Sequence, residues 1–240
     1  WTLTRKLLSR MSTVQKKFFD EIEMPMYQLL HLVEKQGVEI DTDYLKELDQ
    51  NLSNEIAKLE DHIRTIHLGT YNLRSPKQLL TILKERGHDL DTTKSAALRA
   101  LLPEPFIEGL LAFRKVDKLH STYTQGLLKL TTLPRVHTKF NQVTQDDHGI
   151  VTGRLSSSEP NLQNIPRVDK KKPDTYGSMI RRLFIPKPGH TLLAADYSQV
   201  EYRLFAHFTQ DPILLEAFKY DRDVHEETGK LVGADRGVGK

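Results

Sequence analysis

The chain has 240 residues, with 35 Lys or Arg against 32 Asp or Glu, a formal net charge of +3, 38% hydrophobic residues and no cysteine. The lack of cysteine excludes a disulfide-stapled module and any thiolate-ligated zinc or iron–sulfur site. No run of 18 apolar residues occurs, so no membrane-spanning helix is expected, and the composition suits one large or two small hydrophobic cores. A net charge of +3 by itself says little about a polyanionic partner. The opening residues Trp1 to Lys6 lack an initiator Met and the apolar core of a signal peptide, which fits a processed start or a piece of a longer chain.

Residues 13–36 place Phe18, Phe19, Ile22, Met26, Leu29, Leu30 and Val33 at helical spacing. Pro25 is expected to kink or restart that helix, and Gly37 to end it. Leu45, Leu48, Leu52, Ile56, Leu59, Ile63 and Ile66 then step by threes and fours, with Asp41 or Thr42 as the N-cap. This predicts a long helix packed on a partner helix. With only about four heptads, an antiparallel hairpin within the chain is favoured over a coiled-coil dimer.

Ser75-Pro76 reads as an N-cap followed by Pro in the first helical turn, opening a short helix that ends near Gly87. Thr92-Thr93 opens another, stopped by Pro103. Residues 105–130 form a second long helix, with Phe106, Leu110, Phe113, Leu119 and Leu127 inward. The character changes near Pro134. Val136 to Val143 alternates as a strand does, residues 144–190 read mostly as loop, and Thr191 to Ala195 is a short apolar run expected to be a buried strand. A helix is expected from Ser198, with Val200, Leu204 and Phe205 inward. From Arg135 to Lys187 there are 10 Lys or Arg against 5 Asp or Glu, so a polyanion is expected there.

Asp196 would end the buried strand and precede a helix, a common way to offer a hard oxygen ligand to Mg²⁺. Taken alone, a helix cap is the simpler reading. The neighbourhood changes this. Ala195-Asp196-Tyr197-Ser198-Gln199-Val200-Glu201-Tyr202-Arg203-Leu204-Phe205-Ala206-His207 resembles motif A of the family A, bacterial DNA polymerase I-like, DNA polymerases. Thr152-Gly153-Arg154-Leu155-Ser156-Ser157-Ser158-Glu159-Pro160-Asn161-Leu162-Gln163-Asn164-Ile165-Pro166 is similar to the signature just upstream in that family, in the right order and at the right separation. Glu21 to Pro25 and Gly37 to Asp41 resemble its entry into the thumb. Arg114 with Lys118 to Tyr123 resembles the end of a thumb helix.

The resemblance implies an α+β fold: a long-helix thumb hairpin, then an incomplete antiparallel-sheet palm with the start of the fingers helices. Residues 1–40 would end a preceding domain and lead into the polymerase domain, 41–130 would be the helical thumb, 131–215 the palm carrying motif A, and 216–240 the start of the fingers. The implied activity is template-directed DNA polymerisation, with nucleotidyl transfer from a dNTP to a primer 3′-hydroxyl. Two Mg²⁺ ions would assist.

By the same resemblance, Asp196 is the catalytic, metal-bridging aspartate and the Tyr197 carbonyl is a further metal ligand. Tyr197, Ser198, Gln199, Glu201, His225, Arg236 and Lys240 would contact the dNTP. Glu201 would close the space beside the sugar 2′ position and select DNA over RNA synthesis; its plainer reading is an ion pair with Arg203. Arg236 and Lys240, four apart on one helix face, would hold the triphosphate with His225. Arg154 would read minor-groove acceptors at the primer terminus, which check pairing without reading sequence. Asn161, Gln163 and Asn164 would contact template or duplex, although Asn and Gln side chains also stabilise loops by bonding their own backbone. Arg114 and Lys118 would touch DNA phosphates, giving salt-dependent affinity without sequence preference. Lys170-Lys171-Lys172 reads first as a solvated loop.

Two near-matches are set aside: Ala234 to Lys240 lacks the first Gly of a phosphate-binding loop, and Gly229 stands where HExxH needs its second His. The family's second metal-binding carboxylate has no counterpart in the chain, so these residues alone are not expected to polymerise. The chain is then expected to be cut from a longer polymerase, or to be half of a split polymerase whose C-terminal half supplies that carboxylate. The alternative from another class is a non-catalytic DNA-binding subunit, against which the intact pair Asp196 and Glu201 speaks. The expected partners are primer-template DNA, dNTPs and that C-terminal half, with no membrane. The expected location is the cytoplasm of a bacterial or virus-infected cell, or a nucleoid, with an organelle left open.

Overall fold

The computed structural model describes residues 2–130, 134–143, 152–166, 168, 176–224, 226 and 233. It divides into two compact units, Trp1–Thr191 and Leu192–Lys240. Among the described residues no helix is long and apolar enough to cross a membrane.

The first unit opens with α1 (Thr2–Arg10) and α2 (Thr13–Phe18), a π-turn (Phe19–Glu23) and α3 (Met24–Gln36). Ser12 and Gln15 form a capping box at the start of α2. Pro25 does not break the run. In the π-turn the Met24 N–H reaches Phe19 O, five residues back, so the widened turn sits just where the proline ring would otherwise crowd the preceding turn.

α3 ends at Gly37, whose φ of 59° and ψ of −177° lie in a region open essentially to glycine alone. A Cβ there would also stand 2.8 Å from the Val136 carbonyl oxygen and from the His137 ring. Glycine thus lets the chain turn directly into β1 (Val38–Ile40), the central strand of an antiparallel sheet ordered β2 (Arg135–Val136), β1, β5 (Phe184–Ile185). In register, Val38 faces Val136, and Ile40 faces Phe184. Arg135 fastens this corner. Its guanidinium donates to Gln36 O at 2.9 Å, to Gly37 O at 3.1 Å and to Glu39 Oε2 at 3.3 Å.

Asp41 caps α4 (Thr42–Ile66) by accepting from the Tyr44 N–H at 2.9 Å. Leu45, Leu48, Leu52, Ile56 and Ile63 are buried as the stepping predicts, with Leu59 and Ile66 partly buried at the rim. Their partner is α7 (Pro105–Leu119), which buries Phe106, Ile107, Leu110, Phe113, Val116 and Leu119. The long helices therefore form a hairpin within one chain. Between them lie α5 (Pro76–Glu85), capped by the Ser75 hydroxyl, and α6 (Ser95–Arg99), shorter than the helix expected from Thr92 to Leu102. Arg74 ties the tip down: it stacks on Phe113 at 5.1 Å and bonds Asp117 at 2.6 Å and Glu60 at 3.2 Å.

The helix expected to run unbroken over 105–130 contains a second π-turn (His120–Thr124) before α8 (Gln125–Leu130). The single strand expected over Val136 to Val143 is two strands in two sheets. β2 pairs with β1, whereas β3 (Lys139–Asn141) pairs with β4 (Ser156–Ser158). Side-chain bonds account for the break. Glu34 on α3 accepts from the Phe140 N–H at 2.6 Å, and the Thr138 hydroxyl donates to Pro160 O at 2.7 Å. The unit closes with α9 (Tyr176–Arg182), which leads into β5.

The second unit corrects two expectations. Thr191 to Ala195 is not a strand and is exposed, with Leu193 92% accessible. A strand exists only through backbone pairing with a neighbour, and among the described residues none pairs with this run. In α10 (Val200–Thr209) only Ala206 is buried, while Val200, Leu204 and Phe205 remain exposed. Among the described residues α10 packs mainly on α11 (Pro212–Lys219), too little surface to cover its whole apolar face. Asp211 caps α11 by accepting from the Ile213 and Leu214 N–H groups, each at 3.0 Å.

Gly37→Ala should destabilise the chain by about 1–3 kcal/mol, because both the dihedral angles and the Val136 carbonyl oppose a Cβ. Urea unfolding followed by circular dichroism measures this.

Candidate nucleic-acid interface

The first unit gathers Lys118, Asn161 and Asn164 around one cleft of about 400 Å³, together with Thr122, Tyr123, Leu127, Pro160, Leu162 and Phe184. Lys118 comes from α7, Thr122 and Tyr123 from the second π-turn, and the asparagines from the loop after β4. Asn161, Gln163 and Asn164 are exposed, as a surface that meets another molecule requires.

The loop is held mainly by its own side chains. The buried Ser157 hydroxyl donates to Asn161 Oδ1 at 3.2 Å and accepts from the Leu162 N–H at 3.0 Å. Asn161 Oδ1 also accepts from the Gln163 N–H at 3.0 Å, an Asx-type turn. Gln163 Nε2 donates to Leu155 O at 3.2 Å. The plain role expected for Asn and Gln side chains is thus present in the structure. It leaves the Asn164 side chain and the loop's exposed edge for recognition. The Tyr123 hydroxyl donates to the Asn164 carbonyl from below, and burial raises the phenol pKa above its ordinary value. Arg154 is exposed, beside Gly153 at φ 73°.

Arg114 departs from expectation. It lies one turn before Lys118, but its half-buried guanidinium donates to the Thr93 carbonyl and, at 3.0 Å, to the Thr93 hydroxyl. Burial lowers its pKa from the ordinary value. Arg114 and Lys118 therefore do not present a joint cationic face. Arg114 pins the α5–α6 connection onto α7, and Lys118 is the exposed cation of the two. No sequence signal shows this, because the Thr93 carbonyl that needs a donor lies 21 residues away.

In the second unit Asp196, Tyr197 and Ser198 lie on an exposed loop, and Tyr197 is 84% accessible. Gln199 turns the chain into α10 with left-handed backbone angles, φ 51° and ψ 40°. Glu201 lies exposed in the first turn of α10. Arg203 reaches back to Ser198 O at 2.9 Å, stacks on Phe218 at 4.6 Å and lies 4.0 Å from Asp221. It thereby ties the aspartate loop to α10 and α11. Among the described residues no group of three or more His, Cys, Asp or Glu side chains is placed to hold a metal ion. An exposed carboxylate beside an exposed backbone segment does fit Mg²⁺, which takes one or two carboxylates and fills its shell with water and phosphate oxygens. His225, Arg236, Lys240 and Lys170 to Lys172 lie outside the described residues.

Sequence reading gave no role to Tyr123, Thr122 or Asp49, although all three shape the cleft or its support. Tyr123 stood within a quoted resemblance. Its spacing from Leu119 and Leu127 marks it as a buried position but does not show the bond to Asn164.

The chain is similar to proteins that are already known. A family model described as DNA polymerase family A matches residues 42–236. The chain is 39% identical to DNA polymerase I of Synechocystis over 94% of its own length and 24% of the relative's. It is 42% identical to DNA polymerase I of Helicobacter pylori, covering 88% of this chain and 24% of that one. It thus spans about a quarter of the length of the curated relatives it matches. Among solved structures, the POL domain of Pol1 from M. smegmatis, in complex with DNA primer-template and dNTP, superposes with a TM-score of 0.76. That match has 32% identity and covers 89% of this chain and 38% of that chain.

Arg114→Lys keeps the charge but not the two-pronged bonding to Thr93, and should cost about 1–3 kcal/mol in urea unfolding. Lys118→Ala, four residues away, should change stability by no more than about 0.5 kcal/mol.

Proposed function

The chain belongs to DNA polymerase family A, and from that membership we propose that it is the part of a DNA-directed DNA polymerase that grips primer-template and carries the first metal-binding aspartate. The observation that carries this reading is the convergence of Lys118, Asn161 and Asn164 on one cleft, since two elements far apart in sequence, α7 and the loop after β4, supply them. Lys118 gives a point charge for a phosphate. The exposed amides of Asn161, Gln163 and Asn164, with the Arg154 guanidinium, offer donors to the minor-groove acceptors that all base pairs share. Such a surface holds a duplex without reading its sequence. In the terms of the family, the α4–α7 hairpin would be the thumb.

Asp196 and the Tyr197 carbonyl would hold a Mg²⁺ ion. When bound, that ion lowers the charge on the triphosphate and favours the 3′-hydroxyl as nucleophile. This chain's own task is to keep the carboxylate exposed at the entry to α10, where Arg203 anchors the loop through Ser198 O. Glu201, in the first turn of α10, would exclude a ribose 2′-hydroxyl. His225, Arg236 and Lys240 would donate to the triphosphate. Further carboxylate ligands would come from another part of a longer polymerase, in the same polypeptide or in a companion. The exposed apolar side chains of the second unit, Leu193 and the 81% accessible Phe208 among them, support such a neighbour.

The binding half of the reading is tested with this chain alone. Fluorescence anisotropy with a primer-template should give an affinity that falls steeply with salt, and Lys118→Ala should reduce the slope of log K against log salt by about 1. The catalytic half needs a chain completed with the remaining polymerase domain. In primer extension Asp196→Ala should lower incorporation by at least about a hundredfold, while near wild-type rates would refute the ligand role. Glu201→Ala should raise ribonucleotide incorporation, and unchanged sugar discrimination would refute the steric role.

A further inference from the structure

Behind the cleft lies a polar cluster that the proposed reading leaves unused. Asp49 on α4 points at the second π-turn. Its Oδ1 accepts from the Thr124 hydroxyl at 2.6 Å and from Gln125 Nε2 at 2.8 Å, and its Oδ2 accepts from the same Gln125 nitrogen at 2.8 Å. His120 Nε2 stands 3.1 Å from Oδ1, not aligned as a hydrogen bond. Thr124 is fully buried. The three partners are the first residue of the π-turn, its last residue and the one after it. One carboxylate therefore holds the far end of the widened turn by hydrogen bonds.

The turn matters because of what it carries. One extra residue in a helix rotates everything beyond it by about 100°. Tyr123 sits inside the π-turn, and its buried phenol donates to the Asn164 carbonyl. The segment from Ser157 to Asn164 is otherwise bonded to itself, to Leu155 and, over its first residues, to β3 and its flank through the β3–β4 ladder, Thr138 and Asn141. Thr138 adds a bond to Pro160 O. Tyr123 thus ties the far end of the loop to the helical hairpin. Relaxing the turn to an ordinary α-helix would rotate that hydroxyl away.

We propose that Asp49, Thr124 and Tyr123 form a positioning relay: Asp49 locks the π-turn, and the locked turn aims Tyr123 at Asn164, fixing the loop edge that meets the duplex. The last step rests on the DNA-gripping reading above; the lock and the aim do not. A relay of this kind couples the helical hairpin to the primer-reading loop through three side chains.

The test uses the 240-residue chain with Tyr123→Phe, Thr124→Val and the conservative Thr124→Ser. Amide hydrogen exchange of the peptides covering residues 157–166 is read without DNA. Binding is read by anisotropy with primer-templates whose primer 3′ terminus is paired or mismatched. Tyr123→Phe and Thr124→Val should speed exchange in this loop by roughly tenfold, the equivalent of one lost hydrogen bond. They should also shrink the preference for the paired terminus while leaving the salt slope unchanged, and Thr124→Ser should behave as wild type. A purely structural role would lower both affinities together and leave their ratio intact. Unchanged exchange in Tyr123→Phe overturns the relay, whatever happens with DNA. Faster exchange with an undiminished paired-over-mismatched preference overturns its positioning role. If the wild-type chain binds neither DNA, the gripping reading fails and takes the final step of the relay with it, while exchange still reports on the lock.

Discussion

Leu45, Leu48, Leu52, Ile56 and Ile63 of α4 lie against the phenylalanines and aliphatic side chains of α7, and the rest of the first unit hangs from that seam. Neither helix would be stable alone in water, because an amphipathic helix draws most of its stability from tertiary packing. Once joined, the hairpin supplies a rigid surface. Arg74 pins the α4–α5 connection to it, Arg114 pins the α5–α6 connection, and Lys118 emerges beside its last turn. The small sheet is attached at the base, where Asp41 both caps α4 and follows β1 directly.

The two π-turns serve the same end. Each interrupts a long helical run without breaking it, and each changes which side chains face the neighbouring loop. The first accommodates Pro25 and lets α3 continue to Glu34, whose carboxylate organises β3. The second carries Thr122 and Tyr123 to the cleft. Functional surfaces often use such insertions because they re-aim side chains at small energetic cost. The cleft therefore depends on irregular helix geometry as much as on the loop whose sequence drew attention to it.

The second unit has a different economy. α10 and α11 bury little beyond Ala206 and Ala217, and the segment leading to Asp196 lies open. An exposed run of Leu192, Leu193, Ala194 and Ala195 is unusual for residues with strand character. Its sequence suggests a strand, but no pairing forms one among the described residues. The aspartate loop is shaped instead by Arg203 and by the left-handed turn at Gln199.

The sequence determined the helical hairpin, a cap at Asp41 or Thr42 for its first helix, the Ser75 cap of α5, and the identity of the two motif segments, because helical periodicity, capping and ordered motifs are local properties of the chain. It indicated the exposed asparagine loop but not what supports it. The tertiary structure alone decided that Arg114 turns inward to Thr93, that residues 135–141 split between two sheets, and that Asp49 grips the turn carrying Tyr123. Each of these joins groups 21 to 76 residues apart or assigns strands to partners. A buried carbonyl, an unpaired strand edge or a widened helical turn takes its partner from whatever the fold brings near, and that demand leaves no periodic mark in the sequence.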